Sequence, residues 1–316
     1  RRMRPHLFYK GGSSLFQGIL RIAVASLLFG VIPSANKYIL LTGMPSECIT
    51  CLSHAVISIG SMLLVWASGQ SLKISFCQAC QLLSLGAIGM GGTTFLISKA
   101  TEIIPVGVAT VLHFLYPTIV SVVMIVLFQQ KMSPYKAAAI FCSICGMALI
   151  TNLNDSGSFR WTGVVLALCS SLTYSTYIIA NEKGKINELP LAVKLIYTSM
   201  GSAATFGIVS FCKGTLMLPA SGSAALMLIG VSGLGSLAAF YLITAGIRKI
   251  GASVASFVNM LEPVVGVVVS AIAYQEVPTV SMVVGMALVL SAIFLVAMDG
   301  WKSSSASKAT SKHMPR

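Results

Sequence analysis

The chain predicts an all-α integral membrane protein, with ten transmembrane helices arranged as two inverted five-helix repeats. Three observations carry that expectation. Of its 316 residues, 56% are hydrophobic and only 9% are charged, where a soluble domain carries about a quarter charged residues. Apolar runs recur at the length of a bilayer span. The second half of the chain also restates a pattern found in the first.

A hydrocarbon core of about 30 Å takes roughly 20 helical residues. Breaks at polar, Gly and Pro positions separate ten candidates: 17–41, 46–68, 77–98, 102–127, 134–151, 160–181, 190–212, 222–246, 250–274 and 279–298. The first follows the basic segment 1–16, "RRMRPHLFYKGGSSLF", and is long enough to remain as a span rather than a cleaved signal. "TGMPSE", "SGQSLKIS" and "KATEIIP" open the second, third and fourth. "QQKMSP" precedes a short fifth, and "NLNDSGSFR" divides the halves at about 151–160. "NEKGKINELP", "CKGTLMLPASGS", "RKIGAS" and "YQEVPT" set off the last four. The polar tail 299–316, containing "KSSSASKATSKHMPR", has little to bury and reads as disordered.

Charge sets the orientation. With the N-terminus inside, only Lys37, Lys99, Arg160 and Lys213 of the 21 Lys and Arg fall on the outer side, the asymmetry expected of cytoplasmic loops. Both termini are therefore expected in the cytoplasm, and the protein in the cell membrane. The net charge of +13 belongs to topology and anionic lipid, not to nucleic acid.

The repeat appears when "VLHFLYPTIV" is set over "FVNMLEPVVG". A shift of 146 places Pro117 on Pro263, Leu115 on Leu261, Gly89 on Gly235, Phe95 on Tyr241, Val108 on Val254, Ala109 on Ala255, Gln129 on Gln275 and Gln130 on Glu276. At the front, a shift of 145 places Phe29 on Tyr174 and Asn36 on Asn181. Five helices per repeat is an odd number, so the halves must lie inverted in the membrane. Inverted repeats around a midplane site are a recurrent transporter architecture.

Glu262 breaks the apolar pattern. It lies about twelve residues into the ninth span, roughly 18 Å along the helix and near mid-membrane. An embedded charge costs several kcal/mol unless it faces protein or water. Pro263 and Pro117 each remove a helical hydrogen bond, freeing the carbonyls of Asn259 and His113, which the repeat makes equivalent. Residues three apart share a helix face, so Asn259 stands over Glu262 and His113 over Tyr116. A polar, kinked band at one depth is expected in both halves, open to water or cargo. Glu262 suits either substrate contact and protonation or an interhelical lock, and His113 suits either a ligand or an interhelical bond.

At these residues the sequence resembles the drug/metabolite transporter superfamily, and within it the bacterial EamA-type members. Carrying the likeness are the two five-helix halves, the prolines of the fourth and ninth spans, "GVIPSANKY" closing the first, and "LEPVVGVVVSAIAYQEVPTVSMVVGMALVLSAIFLVA". It covers about 17–298, one repeat at 17–151 and one at 160–298. Gln130 stands where an acid is usual, and "CLSHAVISIG" lacks an arginine often found there. The resemblance implies transport without naming the cargo. It also implies that helices 1, 3, 6 and 8 line the path, which adds Asn36, Tyr174, Tyr177, Phe95 and Tyr241 as substrate-contact candidates, with Pro33 as a third kink. Asn181, Thr93 and Thr94 are weaker ones, since Ser, Thr and Asn in membrane helices often serve as interhelical glue.

Other chemistries find little support. Cys48/Cys51, Cys77/Cys80 and Cys142/Cys145 are Cys-x-x-Cys pairs, but they fall at the outer face, the inner face and inside a helix, so no four-ligand metal site is expected. No phosphate loop, HExxH, dinucleotide fingerprint or Gly-x-Ser-x-Gly elbow occurs, so neither an enzyme nor a bound cofactor is expected. An intramembrane enzyme or a receptor is the alternative from another class. The expected function is secondary transport, as an exporter of a small metabolite, amino acid or drug-like solute. The expected partners are the solute and membrane lipid, with the chain a monomer or homodimer. A sugar-phosphate exchanger is the runner-up. It needs a cation to meet its anion, and the sequence places Arg21, Lys37 and Lys99 at helix ends and Lys194 with the cytoplasmic cations.

Overall fold

A computed structural model describes residues 11–101, 103–104, 109, 112–130, 132–150, 160–274 and 279–312. Among these every regular element is a helix. The helices are α1 (Gly11–Leu41), α2 (Ser46–Ala67), α3 (Phe76–Leu85, Gly86–Gly92 and Thr93–Thr101 end to end), the described part of α4 (Tyr116–Val126) and α5 (Pro134–Ile150). The second half supplies α6 (Trp161–Lys183), α7 (Leu191–Cys212), α8 (Gly222–Leu226, Met227–Gly235 and Ser236–Ile250), α9a (Ala252–Asn259), α9b (Leu261–Tyr274) and α10 (Val280–Lys312). Seven stretches are long and apolar enough to span a bilayer, and the shorter apolar helices Tyr116–Val126, Pro134–Leu149 and Ala252–Gly266 complete the ten expected from the sequence.

The halves are inverted copies in their packing. α1 lies along α8 as α6 lies along α3, and α1 meets α9 as α6 meets α4. α2 against α8 has its counterpart in α7 against α3, while α2–α7, α4–α9 and α5–α10 join equivalent helices. Local detail repeats as well. A Cβ on Gly30 of α1 would stand 2.9 Å from the Glu262 carbonyl oxygen, and its counterpart Ser175 on α6 donates from Oγ to the Tyr116 carbonyl at 3.4 Å. The third helix of each half carries a glycine-rich π stretch, Gly86–Gly92 and Met227–Gly235. Val108, Gln275 and Glu276 of the repeat alignment lie outside the described residues, as do 1–10 and 313–316.

Small residues set how closely the helices approach, since lipid offers no hydrophobic drive between them. Cβ atoms on Gly86 and Gly201 would fall 1.8 Å and 2.1 Å from the carbonyl oxygens of Thr198 and Leu83, so α3 and α7 touch backbone to backbone. Gly251, at φ +81, turns the chain sharply from α8 into α9a. Large apolar side chains such as Trp66, Phe76, Trp161 and Phe211 point outward, as lipid contact requires. The main core runs through α1, α4, α6, α8 and α9a around Ile22, Tyr116, Tyr177, Ile243 and Phe257.

One element differs from the sequence expectation. α10 continues as backbone helix to Lys312, into the tail expected to be disordered. Gly300 is the sole Gly or Pro between 299 and 312, and one internal glycine costs only about 1 kcal/mol. α1 passes Pro33 without a break, because one missing hydrogen bond does not end a long helix that packs on both α8 and α9. The Pro33 side chain is outside the described residues.

Candidate functional site

The two proline breaks meet. α4 restarts at Tyr116 after a turn at 114–115, and α9 is interrupted at Met260, the position equivalent to Phe114 under the shift of 146. Pro117 lies in the first turn of its helix and Pro263 near the start of α9b, where a missing N–H leaves no bond unmade. Asn259, fully buried, closes α9a. Its Nδ2 donates to Tyr116 Oη at 3.0 Å and to Glu262 Oε2 at 3.2 Å. Its Oδ1 accepts from Ser26 Oγ at 3.1 Å, and Ser26 shares that proton with the Ile22 carbonyl at 2.9 Å. Tyr116 Oη in turn donates to the Ser256 carbonyl at 3.4 Å. One amide therefore ties α1, α4 and both segments of α9 at the level of the breaks.

An aromatic wall adjoins this knot. The Tyr116 and Tyr174 rings stand edge to face with centroids 4.7 Å apart, and Tyr177 lies parallel to Tyr174 at 6.3 Å. Phe240 of α8 meets Tyr177 at 5.9 Å and Phe29 of α1 at 5.0 Å. His113 packs against Tyr116 and Tyr174, both at 5.7 Å, and its Nδ1 lies 3.0 Å from Ser170 Oγ. Ser170 donates its proton to the Ala167 carbonyl at 2.6 Å, so Nδ1 must be the donor to Ser170, leaving Nε2 with the lone pair. The half-buried Glu262 thus offers a carboxylate beside a phenol, an amide and stacked rings. That set can hold an ammonium or hydroxyl at the acid and an apolar or aromatic body against the wall.

Six sequence candidates come together here: Glu262, Asn259, His113, Tyr116, Tyr174 and Tyr177. Three do not. Asn36 accepts from Ser232 Oγ at 2.6 Å and ties α1 to α8 beyond the knot. Phe95 faces α7, its ring 6.0 Å from Phe206. Tyr241 is 40% exposed and borders an open groove of about 510 Å³ with Leu64, Ser68, Gln70, Leu234 and Leu237. A helix presents only part of its surface to the path, and the repeat alignment fixes a residue's depth rather than its direction.

The sequence reading missed several partners. Ser26 falls on Ser171 under the shift of 145, a signal present but unread. Phe240 is an apolar residue in an apolar span and carried no signal. Lys194 was placed with the cytoplasmic cations, yet it is 2% exposed and donates from Nζ to Asn181 Oδ1 at 2.8 Å. Glu182, at the end of α6, pairs with Lys183 at 2.8 Å and accepts from the N–H of Ala252, where it caps α9a. A carboxylate at a helix N-terminus meets unpaired N–H groups and the positive end of the dipole.

Comparisons agree with the fold. The EamA-like transporter family matches residues 16–152 and again 161–298. "Uncharacterized transporter YxxF" of Bacillus subtilis (strain 168) is 22% identical over 282 residues, covering 86% of this chain and 89% of that protein. A solved crystal structure with 17% identity superposes with a TM-score of 0.77 over 91% of this chain and 98% of its own. At that identity the likeness speaks to the fold alone.

Proposed function

Because the chain belongs to the EamA-like transporter family and is a multi-pass membrane transporter, we propose that it exports a small metabolite, amino acid or drug-like solute by alternating access around the Asn259–Tyr116–Glu262 knot. Both termini face the cytoplasm in this reading. The observation that carries it is the hydrogen bonding of Asn259 to Ser26, Tyr116 and Glu262, which joins both halves at their equivalent breaks. Discontinuous helices crossing at the midplane are where inverted-repeat carriers place their sites.

An imbalance between the halves supports a gate. α6 packs on α8 and on α9a, whereas their counterparts α1 and α3 do not pack along one another among the described residues. Toward the cytoplasmic end, Ser121 of α4 lies 3.1 Å from Ser253 of α9a, Glu182 caps α9a, and Arg248 donates to the carbonyls of Asn187 and Leu189. A near-symmetric bundle that is sealed on one side has a natural second state with the seal exchanged. In that cycle Glu262 and Asn259 bind the cargo, Tyr116, Tyr174 and Tyr177 enclose it, and the breaks at Pro117 and Pro263 absorb the change of angle.

Reconstitution tests this directly. A thermal-shift screen of amino acids, amines and drug-like solutes on purified protein selects ligands, and counterflow of each in proteoliposomes follows. Saturable counterflow lost in Asn259→Leu is the expected result. Binding without flux for every ligand found would move the protein to the receptor class.

A further inference from the structure

Lys194 is left over by that scheme. Its side chain enters the bundle from the start of α7, and among the described residues it meets an amide, Asn181, rather than a carboxylate. An ammonium carries three N–H donors, and a buried cation is costly unless it is paired and hydrogen-bonded. The nearest acid along the chain from Asn181, Glu182, is already engaged by Lys183 and by the N–H of Ala252.

The surroundings repeat the same deficit of negative charge. Asn181 spends an Nδ2 proton on the Tyr177 carbonyl at 2.9 Å, which fixes Oδ1 toward Lys194. The Tyr177 phenol lies beside Asn181 and Thr244. Thr244 is 1% exposed, and its hydroxyl faces the Tyr177 phenol inside the buried cluster. Arg248, one turn further along α8, acts on Lys194 electrostatically while holding the carbonyls of Asn187 and Leu189. Two cations, a hydroxyl donor and no free acid among the described residues make the donor set of an oxyanion site, where charge-assisted bonds are strongest.

We propose that Lys194 and Thr244 form an oxyanion subsite of the transport path, with Asn181 as the positioning residue, and that the cargo carries a carboxylate or phosphate group to fill it. This rests on the transport reading for the origin of the ligand. Tyr174, Tyr177 and Asn181 lie at i, i+3 and i+7 on one face of α6, so Asn181 stands about 10 Å along the helix from Tyr174 of the Glu262 cluster. That is further than the two charges of an α-amino acid can span, so such a cargo meets the two stations in turn, while a longer bipolar solute bridges them. The runner-up reading from the sequence lacked a buried cation, and Lys194 supplies one.

Purified protein in lipid-free detergent is titrated with sodium acetate and with inorganic phosphate against sodium chloride at matched ionic strength, reading the thermal midpoint. The expected result is a saturable rise with one of the two oxyanions and none with chloride. Acetate alone indicates a carboxylate cargo, and phosphate a phosphorylated one. Lys194→Gln retains an N–H for Asn181 but no charge, so it preserves a purely structural tie while weakening the anion response about tenfold or more. Thr244→Val weakens it less and serves as the second variant. No oxyanion-specific rise in the wild-type protein, or an undiminished rise in both variants, overturns the subsite. The two readings fail separately: an anion response without counterflow of any solute removes the transport reading alone, and counterflow without an anion response removes the subsite alone.

Discussion

Asn259→Leu replaces the amide at the centre of the knot with an apolar side chain of similar size. Three hydrogen bonds disappear, those with Ser26, Tyr116 and Glu262. Ser26 keeps its bond to the Ile22 carbonyl and Tyr116 its contact with the Ser256 carbonyl, so neither hydroxyl is orphaned. Interhelical hydrogen bonds in membranes average about 0.6 kcal/mol each, so the loss comes to about 2 kcal/mol. Equilibrium unfolding in mixed micelles measures it. A double-mutant cycle with Tyr116→Phe isolates one bond, with an expected coupling of about 0.6 kcal/mol and an upper bound of about 1.7 kcal/mol. Counterflow should fall further than stability does, because the same amide orients Glu262. A stability within about 0.3 kcal/mol of wild type together with zero coupling to Tyr116 would refute the knot.

Glu262→Gln keeps an acceptor for Asn259 but cannot ionise; in a proton-coupled carrier, vesicle exchange persists while accumulation driven by a pH gradient is lost, and undiminished pH-driven uptake would rule Glu262 out as the coupling group. Gly86→Ala sets a Cβ 1.8 Å from the Thr198 carbonyl oxygen, so it should cost about 3 kcal/mol or more by overpacking, read as a lower yield of folded protein and a lower melting temperature. Lys213→Met breaks the 2.8 Å pair with Glu47, whose lysine is 42% exposed, and should change stability by less than about 1 kcal/mol in the same unfolding assay. Single cysteines placed at either terminus should react with impermeant maleimide only from the cytoplasmic side of oriented vesicles.

Some of this molecule is legible before any coordinates. Span lengths follow from apolar runs because a bilayer admits only structures that satisfy their own backbone, and the helix is the one a single segment can form. The break positions follow too, since proline acts through its own ring on the four residues before it. Pro117 and Pro263 therefore announced the interruptions at 114–115 and 260. Pro33 shows the limit of that rule, because whether a missing bond ends a helix depends on the packing around it.

The sequence by itself determined the all-helical membrane class, the doubled five-helix pattern and the place of Glu262 beside the break in its span, because each depends on local composition and spacing along one chain. Only the tertiary structure decided direction. It turned Tyr174 and Tyr177 onto the knot and Tyr241 onto an outer groove, although all three sit in spans expected to line the path. It also turned Lys194, near the start of its span, into a buried bond with Asn181. A residue's facing is set by the rotation of its helix against neighbours distant in sequence, and that rotation is fixed by where glycines let backbones touch, as Gly86 does at Thr198 and Gly201 at Leu83.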